Sequence, residues 1–197
     1  GLRAGAGHAA FAGQEIMMLR GALASIWLLL VLVSRGWLEI HMARHMLLQF
    51  PLLLLGGVLL AGWLPLVWRR RISLYNQLGL NGMVYASLLT SVWMIPSALD
   101  LALAEPGINL AKLCSLFLAG VALRLSWQPA GRVLQGFFLI GWAMMSTTVG
   151  MLYGESSSRL CNAYLGSEQI SAGNGLIWLS VLLVLGWCVR VWREQAY

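Results

Sequence analysis

Charge is scarce in this sequence: of 197 residues only 10% are Asp, Glu, Lys or Arg, while 59% are apolar. A soluble domain carries about 25% charged and roughly 45–50% apolar residues, so a water-soluble globular fold is excluded. Acid is scarcer still, with 7 carboxylates against 13 cations, the latter being 12 Arg and the single Lys112. The Arg residues stand at the ends of apolar runs, which reads as membrane topology and not as nucleic-acid binding. Cysteine is limited to Cys114, Cys161 and Cys188, an odd set with two members inside apolar runs, so neither a disulfide framework nor a redox compartment follows from it. Histidine is limited to His8, His41 and His45. Without an HExxH pattern or a Cys pair at zinc spacing, a closed structural zinc site is disfavoured. No nucleophile comes with a matched base and acid, which is the pattern of a non-enzyme.

What the sequence has in abundance is apolar length, in runs such as Ile26 to Val33 and Leu52 to Leu60, with a mean hydropathy of +0.76, 10 Trp and 22 Gly. The expected fold is all-α, a polytopic transmembrane helix bundle in contact with the lipid bilayer. About six spans of roughly 20 residues would use most of the chain. They are expected at about Leu19–Val33, Leu38–Trp68, Leu74–Pro96, Ile108–Trp127, Val133–Tyr153 and Ser171–Trp192. The second is longer than a bilayer needs and holds Pro51, Gly56, Gly57 and Pro65, so it should tilt, kink or begin outside the hydrocarbon. Residues 1–18 read as a short tail and residues 19–197 as one domain. The first sixteen residues lack the pattern of a signal peptide, and Met17 and Met18 stand just before the first apolar run. Arg3 and Arg20, Arg69 to Arg71, Arg124 and Arg132, and Arg190 and Arg193 all fall on one side of the membrane, which the positive-inside rule makes the cytoplasm. Both termini are then cytoplasmic. The connections at Arg35 to Glu39, at Asp100 and Glu105, and at Gly154 to Ile170 face the other side.

The residues with coordinating chemistry gather at that outer face. His41 and His45, four apart, would share one face of a helix, and Met42 and Met46 form a second such pair rotated by about 100°. Imidazole and thioether suit copper, thioether favouring Cu(I). The plainer reading is that the histidines anchor the helix at the interface and the methionines are apolar filler. Two histidines on one helix face cannot both ligate a haem iron from opposite sides, so no haem is expected. In Trp93-Met94-Ile95-Pro96 the proline stops a helix and Trp suits the interface, while Met94 faces the histidine end as a further soft ligand. Cys114 is another candidate ligand, or a small apolar packer. Lys112 is expected to snorkel, Asp100 to cap or carry charge, and Glu168 and Gln169 to sit at the outer surface. Gly173 and Gly175 would allow close helix approach. A transporter, with inverted repeats and a polar midplane site, fits less well because the polar residues gather at one face.

The order of these blocks resembles the CtaG-type family of cytochrome c oxidase assembly factors. His41-Met42-Ala43-Arg44-His45-Met46-Leu47-Leu48 with Pro51 is similar to the family's His-Met-x-x-His-Leu-Leu-Leu block and its Pro-Leu-Leu stretch. Trp93 to Pro96 with Leu99-Asp100-Leu101-Ala102 is similar to its Trp-His-x-Pro segment and downstream Tyr-Asp-x-Ala. Glu168-Gln169 with Gly173, Gly175 and Trp178 looks like its Asp-Gln, Gly-Gly, Met-Trp block. The resemblance runs from about Glu39 to Trp178. It implies a protein of the bacterial inner membrane that handles copper at the outer face for a haem-copper oxidase, with His41, His45, Met42, Met46, Met94 and Cys114 as the ligand set. The family's His before x-Pro is Met94 here, and two further family histidines fall at about Asn109 and Leu113. That departure admits an alternative, a non-catalytic accessory subunit of a respiratory membrane complex that has lost copper binding.

Overall fold

The structure, a computed structural model, describes residues 18–19, 21–23, 25–155 and 160–196. His8, Arg3 and Arg20 lie outside them, as does most of the expected tail. Among the described residues all regular structure is helical. The order is α1 (Gly21–Val33), α2 (Arg35–Leu38), α3 (Met42–Arg44), a π-helical turn (His45–Gln49), α4 (Phe50–Ala61), α5 (Leu66–Tyr75), α6 (Leu80–Met94), α7 (Pro96–Ala104), α8 (Pro106–Trp127), α9 (Gly131–Glu155) and α10 (Gly166–Ala196). Among the described residues four stretches are long and apolar enough to cross a membrane: Met42–Ala61, Pro106–Trp127, Gly131–Glu155 and Gly166–Gln195. The pair α6 and α7, bent by 76°, makes a fifth if it is one span. This is a helical membrane protein.

The breaks have local causes. Pro51 has no N–H to give the carbonyl four residues back, and the π turn immediately before it takes up the resulting mismatch within one continuous helix. Ile95 precedes Pro96 and is extended (φ −71°, ψ 127°), which turns the chain between α6 and α7. Glu105 before Pro106 does the same at the start of α8. The run read as one span from Leu38 to Trp68 is therefore divided. Its apolar helix ends at Ala61, Gly62 to Pro65 turn the chain, and Trp68 with Arg69 to Arg71 belongs to α5, a helix with no buried side chain. Leu74 and Tyr75 also belong to α5. The next helix starts only at Leu80, after a turn in which Gly79 adopts φ 69° and the buried Asn76 side chain donates to Ser126 Oγ (2.8 Å).

Helix α8 is the centre of the packing, against α4, α6 and α7, while α9 and α10 form a second long pair that meets the rest through α6, α3 and the π turn. The first crossing depends on glycine. A Cβ at Gly57 would collide with Phe117 O, and one at Gly120 with Leu54 O, so α4 and α8 touch backbone to backbone. In α9 and α10, Gly150 and Gly173 stand against each other's carbonyls, a Cβ on Gly150 lying 2.6 Å from Gly173 O. Such close approach is how membrane helices gain contact when lipid removes the usual hydrophobic drive. The main apolar core collects at the end of the bundle that carries His45. It includes Met42, Met46, Phe50, Leu53, Met94, Leu99 and Leu176. The opposite end carries Arg69 to Arg71, Arg124, Arg132, Arg190 and Arg193.

The crossing makes a clear contrast. Gly120→Val should lower thermal stability in detergent by about 1–3 kcal/mol or more through overpacking against the Leu54 backbone. Gly141→Ala, in a helix where a Cβ meets nothing within 4 Å, should leave stability unchanged or raise it by up to about 1 kcal/mol. Equal melting behaviour of the two variants would show that the α4–α8 contact is not as close as described.

Candidate functional site

Glu39 ends α2, just outside the first long span, and it is the hub of a polar cluster. Its Oε1 accepts from Lys112 Nζ (3.1 Å) and Gln49 Nε2 (3.1 Å), and its Oε2 from Arg35 Nε (3.1 Å). Asn109 Nδ2 lies 3.2 Å from both oxygens. The donors come from α2, the π turn and α8. Asn109 and Lys112 are three apart on α8 and so share a face. Burial alone would raise the Glu39 carboxyl, but the Lys112 ammonium and the hydrogen bonds from Gln49, Lys112 and Asn109 together hold it below its ordinary value of 4.5.

His45 connects this carboxylate to the chain before α10. Lys112 Nζ lies 2.6 Å from His45 Nε2, and His45 Nδ1 lies 2.7 Å from Tyr164 Oη. An ammonium has no acceptor, so Nε2 must take its hydrogen bond and the ring proton sits on Nδ1, which donates to Tyr164. Tyr164 Oη in turn donates to the backbone O of Glu39 (2.9 Å). The path from Glu39 carboxylate through Lys112, His45 and Tyr164 returns to Glu39: a closed ring. Burial, with the Glu39 charge next, raises the Tyr164 phenol, which keeps it a donor.

The segment that supplies Tyr164 is itself fixed by side chains. Asp100 on α7 accepts from the N–H groups of Asn162 (2.8 Å) and Ala163 (3.1 Å). Gln169 accepts from Leu160 N (3.1 Å) and donates to the carbonyls of Cys161 (3.0 Å) and Tyr164 (3.2 Å). Gln169 is therefore buried, not at the surface, because its amide is turned onto these backbone groups. Cys161 lies beneath the same segment, where burial and then the Asp100 carboxylate push its thiol up to about 12. It is a neutral thiol at physiological pH, not a ready thiolate ligand.

The sequence-derived ligand set divides. Met42, Met46 and Met94 are all buried in one apolar cluster, beside the wholly buried His45. Met94 Sδ accepts from Ser146 Oγ at 3.7 Å. His41 and Cys114 are exposed. His41 is not inside a helix but caps α3 with extended backbone (φ −118°, ψ 137°), and its imidazole pairs with Glu168 at the start of α10. The helical spacing that would put both imidazoles on one ion thus leads instead to two different partners. Lys112 does not snorkel: it is fully buried, because a carboxylate and an imidazole lie within reach of its ammonium. Gln49 and Tyr164 were not singled out by sequence. Asn109 and Lys112 had a signal, the only lysine standing one turn from an amide inside an apolar helix. Comparison of the chain with protein-family models, curated proteins and solved structures gives no match.

Removing one charge from a buried pair strands the other, so Lys112→Met should destabilise by about 3–5 kcal/mol, and Glu39→Gln/Lys112→Met should recover much of the loss. Additive losses in thermal melts of the single and double variants would rule out the pairing. The pH dependence has a definite sign. A carboxyl held below its unfolded value of 4.5 contributes its full stability above that pH and loses it as pH falls through the lower folded value. The difference in melting temperature between the native protein and Glu39→Gln should be constant above 4.5 and close below it.

Proposed function

We propose that this chain is a non-catalytic accessory or scaffold subunit of a respiratory membrane complex, a degenerate relative of the CtaG-type assembly factors. The observation that carries this reading is the state of His45. Both of its ring nitrogens are engaged inside the protein, and an ammonium stands 2.6 Å from Nε2. An incoming metal cation would have to displace another cation there. The ring serves instead to hold α2, the π turn, α8 and the chain before α10 in one arrangement, with the short polar connections presented at one end. In this reading the protein is a multi-pass component of a bacterial inner membrane. The apolar α1 adds a sixth span, both termini are cytoplasmic, and the Arg-rich end faces the cytoplasm, in keeping with the positive-inside rule.

Copper handling is the second reading, favoured by one specific feature: the burial of Met42, Met46 and Met94 in a common cluster next to His45. Thioether is a soft donor suited to Cu(I), and in this reading the three would supply the ligands without His41 or Cys114. The recipient would be a haem-copper oxidase subunit.

The two readings separate in one experiment. Protein tagged and isolated from its native membrane in mild detergent should bring down a respiratory complex in near-stoichiometric amount, and Met42→Leu/Met46→Leu/Met94→Leu should leave that recovery intact. Cu(I) titration should not distinguish the native and triple-variant proteins. Tight Cu(I) binding that disappears in the triple variant, with only trace recovery of a complex, would overturn the scaffold reading in favour of copper handling.

A further inference from the structure

Helix α8 packs on α4 and on α6 in one group, and α9 packs on α10 in another; contacts between the groups run through α6 with α9 and through α10 with α3 and the π turn. At the His45 end they are tied together. Ser91 donates to Met145 Sδ (3.0 Å), Ser146 to Met94 Sδ (3.7 Å), and Tyr153 to Met94 O (3.5 Å). Towards the Arg-rich end they diverge around a cavity of about 430 Å³. Leu54 and Val58 of α4, Ala86 of α6, Leu123 of α8, Leu139 of α9 and Leu183 of α10 lie on its wall. The volume is within the roughly 300–1,000 Å³ range of small-molecule sites.

The chemistry of the wall is nearly all hydrocarbon. Thr90, one of its few hydroxyls, spends its hydrogen on Ala86 O (2.9 Å). A polar ligand has little to recognise here, whereas an apolar chain entering from the surrounding bilayer does. Leu55 and Leu183, on the wall, are also among the exposed apolar side chains, so the cavity opens sideways to lipid.

The helices that form the cavity continue into a charged end. Arg132 lies seven residues before Leu139 on α9, and Arg190 seven residues after Leu183 on α10. Seven residues are two turns, about 10 Å, so each Arg stands on the cavity-lining face of its helix, beyond the apolar wall. Arg132 and Arg190 share one carboxylate, Glu194, at 3.3 and 2.9 Å. Two cations against one anion leave an excess positive charge, with most guanidinium donors still available for a further anion. A hydrocarbon slot topped by guanidinium groups at about one headgroup's distance fits an acidic lipid, and basic clefts between membrane helices bind such headgroups.

We propose that this cleft holds an acyl chain of an acidic glycerophospholipid whose phosphate is bound by Arg132 and Arg190. The site is independent of the copper and scaffold readings, since it uses neither Glu39 nor any residue of the His45 ring. The lipid fills the space where α9 and α10 part from the rest of the bundle and so acts as a structural component of the fold.

The test is lipid analysis of the detergent-purified chain by native mass spectrometry, followed by exchange against phosphatidylglycerol and phosphatidylcholine vesicles. One acidic phospholipid per chain is expected, with about five- to tenfold preference for phosphatidylglycerol, the size of one guanidinium–phosphate attraction near a membrane surface. Arg132→Gln/Arg190→Gln should abolish the preference while a lipid is still retained. Ala86→Phe, which fills the cavity, should remove the lipid. Leu183→Trp at the rim does so without burdening the core, should Ala86→Phe fail to fold. Absence of retained lipid from the folded native protein, equal affinity for the two headgroups, unchanged retention in a folded cavity-filling variant, or a prenyl quinone or a partner helix in place of the phospholipid would each overturn the proposal.

Discussion

A largely buried carboxylate and a fully buried ammonium, Glu39 and Lys112, come from segments 73 residues apart and meet at 3.1 Å. Neither charge is tolerable alone in a low-dielectric interior, where desolvation of one ion costs several kcal/mol. Each therefore constrains the other's helix. Glu39 holds the end of α2 against α8, and Lys112 passes the constraint through His45 to Tyr164. The segment carrying Tyr164 is only in place because Asp100 and Gln169 satisfy its backbone. Displacing the Lys112, His45 or Gln169 contacts leaves a polar group buried without a partner, and the cost of that exceeds what the individual hydrogen bond contributes.

Glycine supplies the other kind of cohesion, and it acts elsewhere. Gly57 with Gly120 and Gly150 with Gly173 let backbones touch within each helix group. Between the groups, the contacts near the His45 end add polar and sulfur-containing ones, through Ser91, Ser146 and Tyr153, to the seat of Gly175 against Leu47. The division has a physical reason. Small residues let the backbones of α4 and α8, and of α9 and α10, approach closely, whereas α6 and α9 are joined by Ser and Tyr hydroxyls that reach a thioether or a carbonyl on the facing helix.

Much of the fold was legible because a membrane span needs length and hydropathy, and both are local properties. The helices Pro106–Trp127, Gly131–Glu155 and Gly166–Ala196 agree with the expected apolar runs to within a few residues at all but one end. The breaks were less legible. Pro51, Pro65 and Pro96 are equally visible in sequence, yet only Pro65 and Pro96 accompany a change of direction, while Pro51 is absorbed by the π turn. At the site, burial of Lys112 could not be read from its neighbours, because the group that makes it tolerable belongs to another helix. Gln49 and Tyr164 look unremarkable for the same reason: one lies in an apolar run, the other in a polar connection. The pairing of His41 and His45 assumed that a helix already existed at His41, and the extended backbone there removes that premise.

The closed ring also decides what this end of the protein can offer to another molecule. A site prepared for a metal keeps donor lone pairs free and cations away, since ligands must be deprotonated and unpaired before they can coordinate. Here His45, the one buried imidazole among the described residues, has both nitrogens committed, and the cation it faces is covalently attached. Lys112 thus occupies the position that an exchangeable ion would need. The ammonium is tethered to α8, so it stays beside the Glu39 carboxylate and His45 as long as α2, the π turn and α8 stay packed. What such an arrangement provides is a fixed relation between α2, the π turn, α8 and the segment that carries Tyr164.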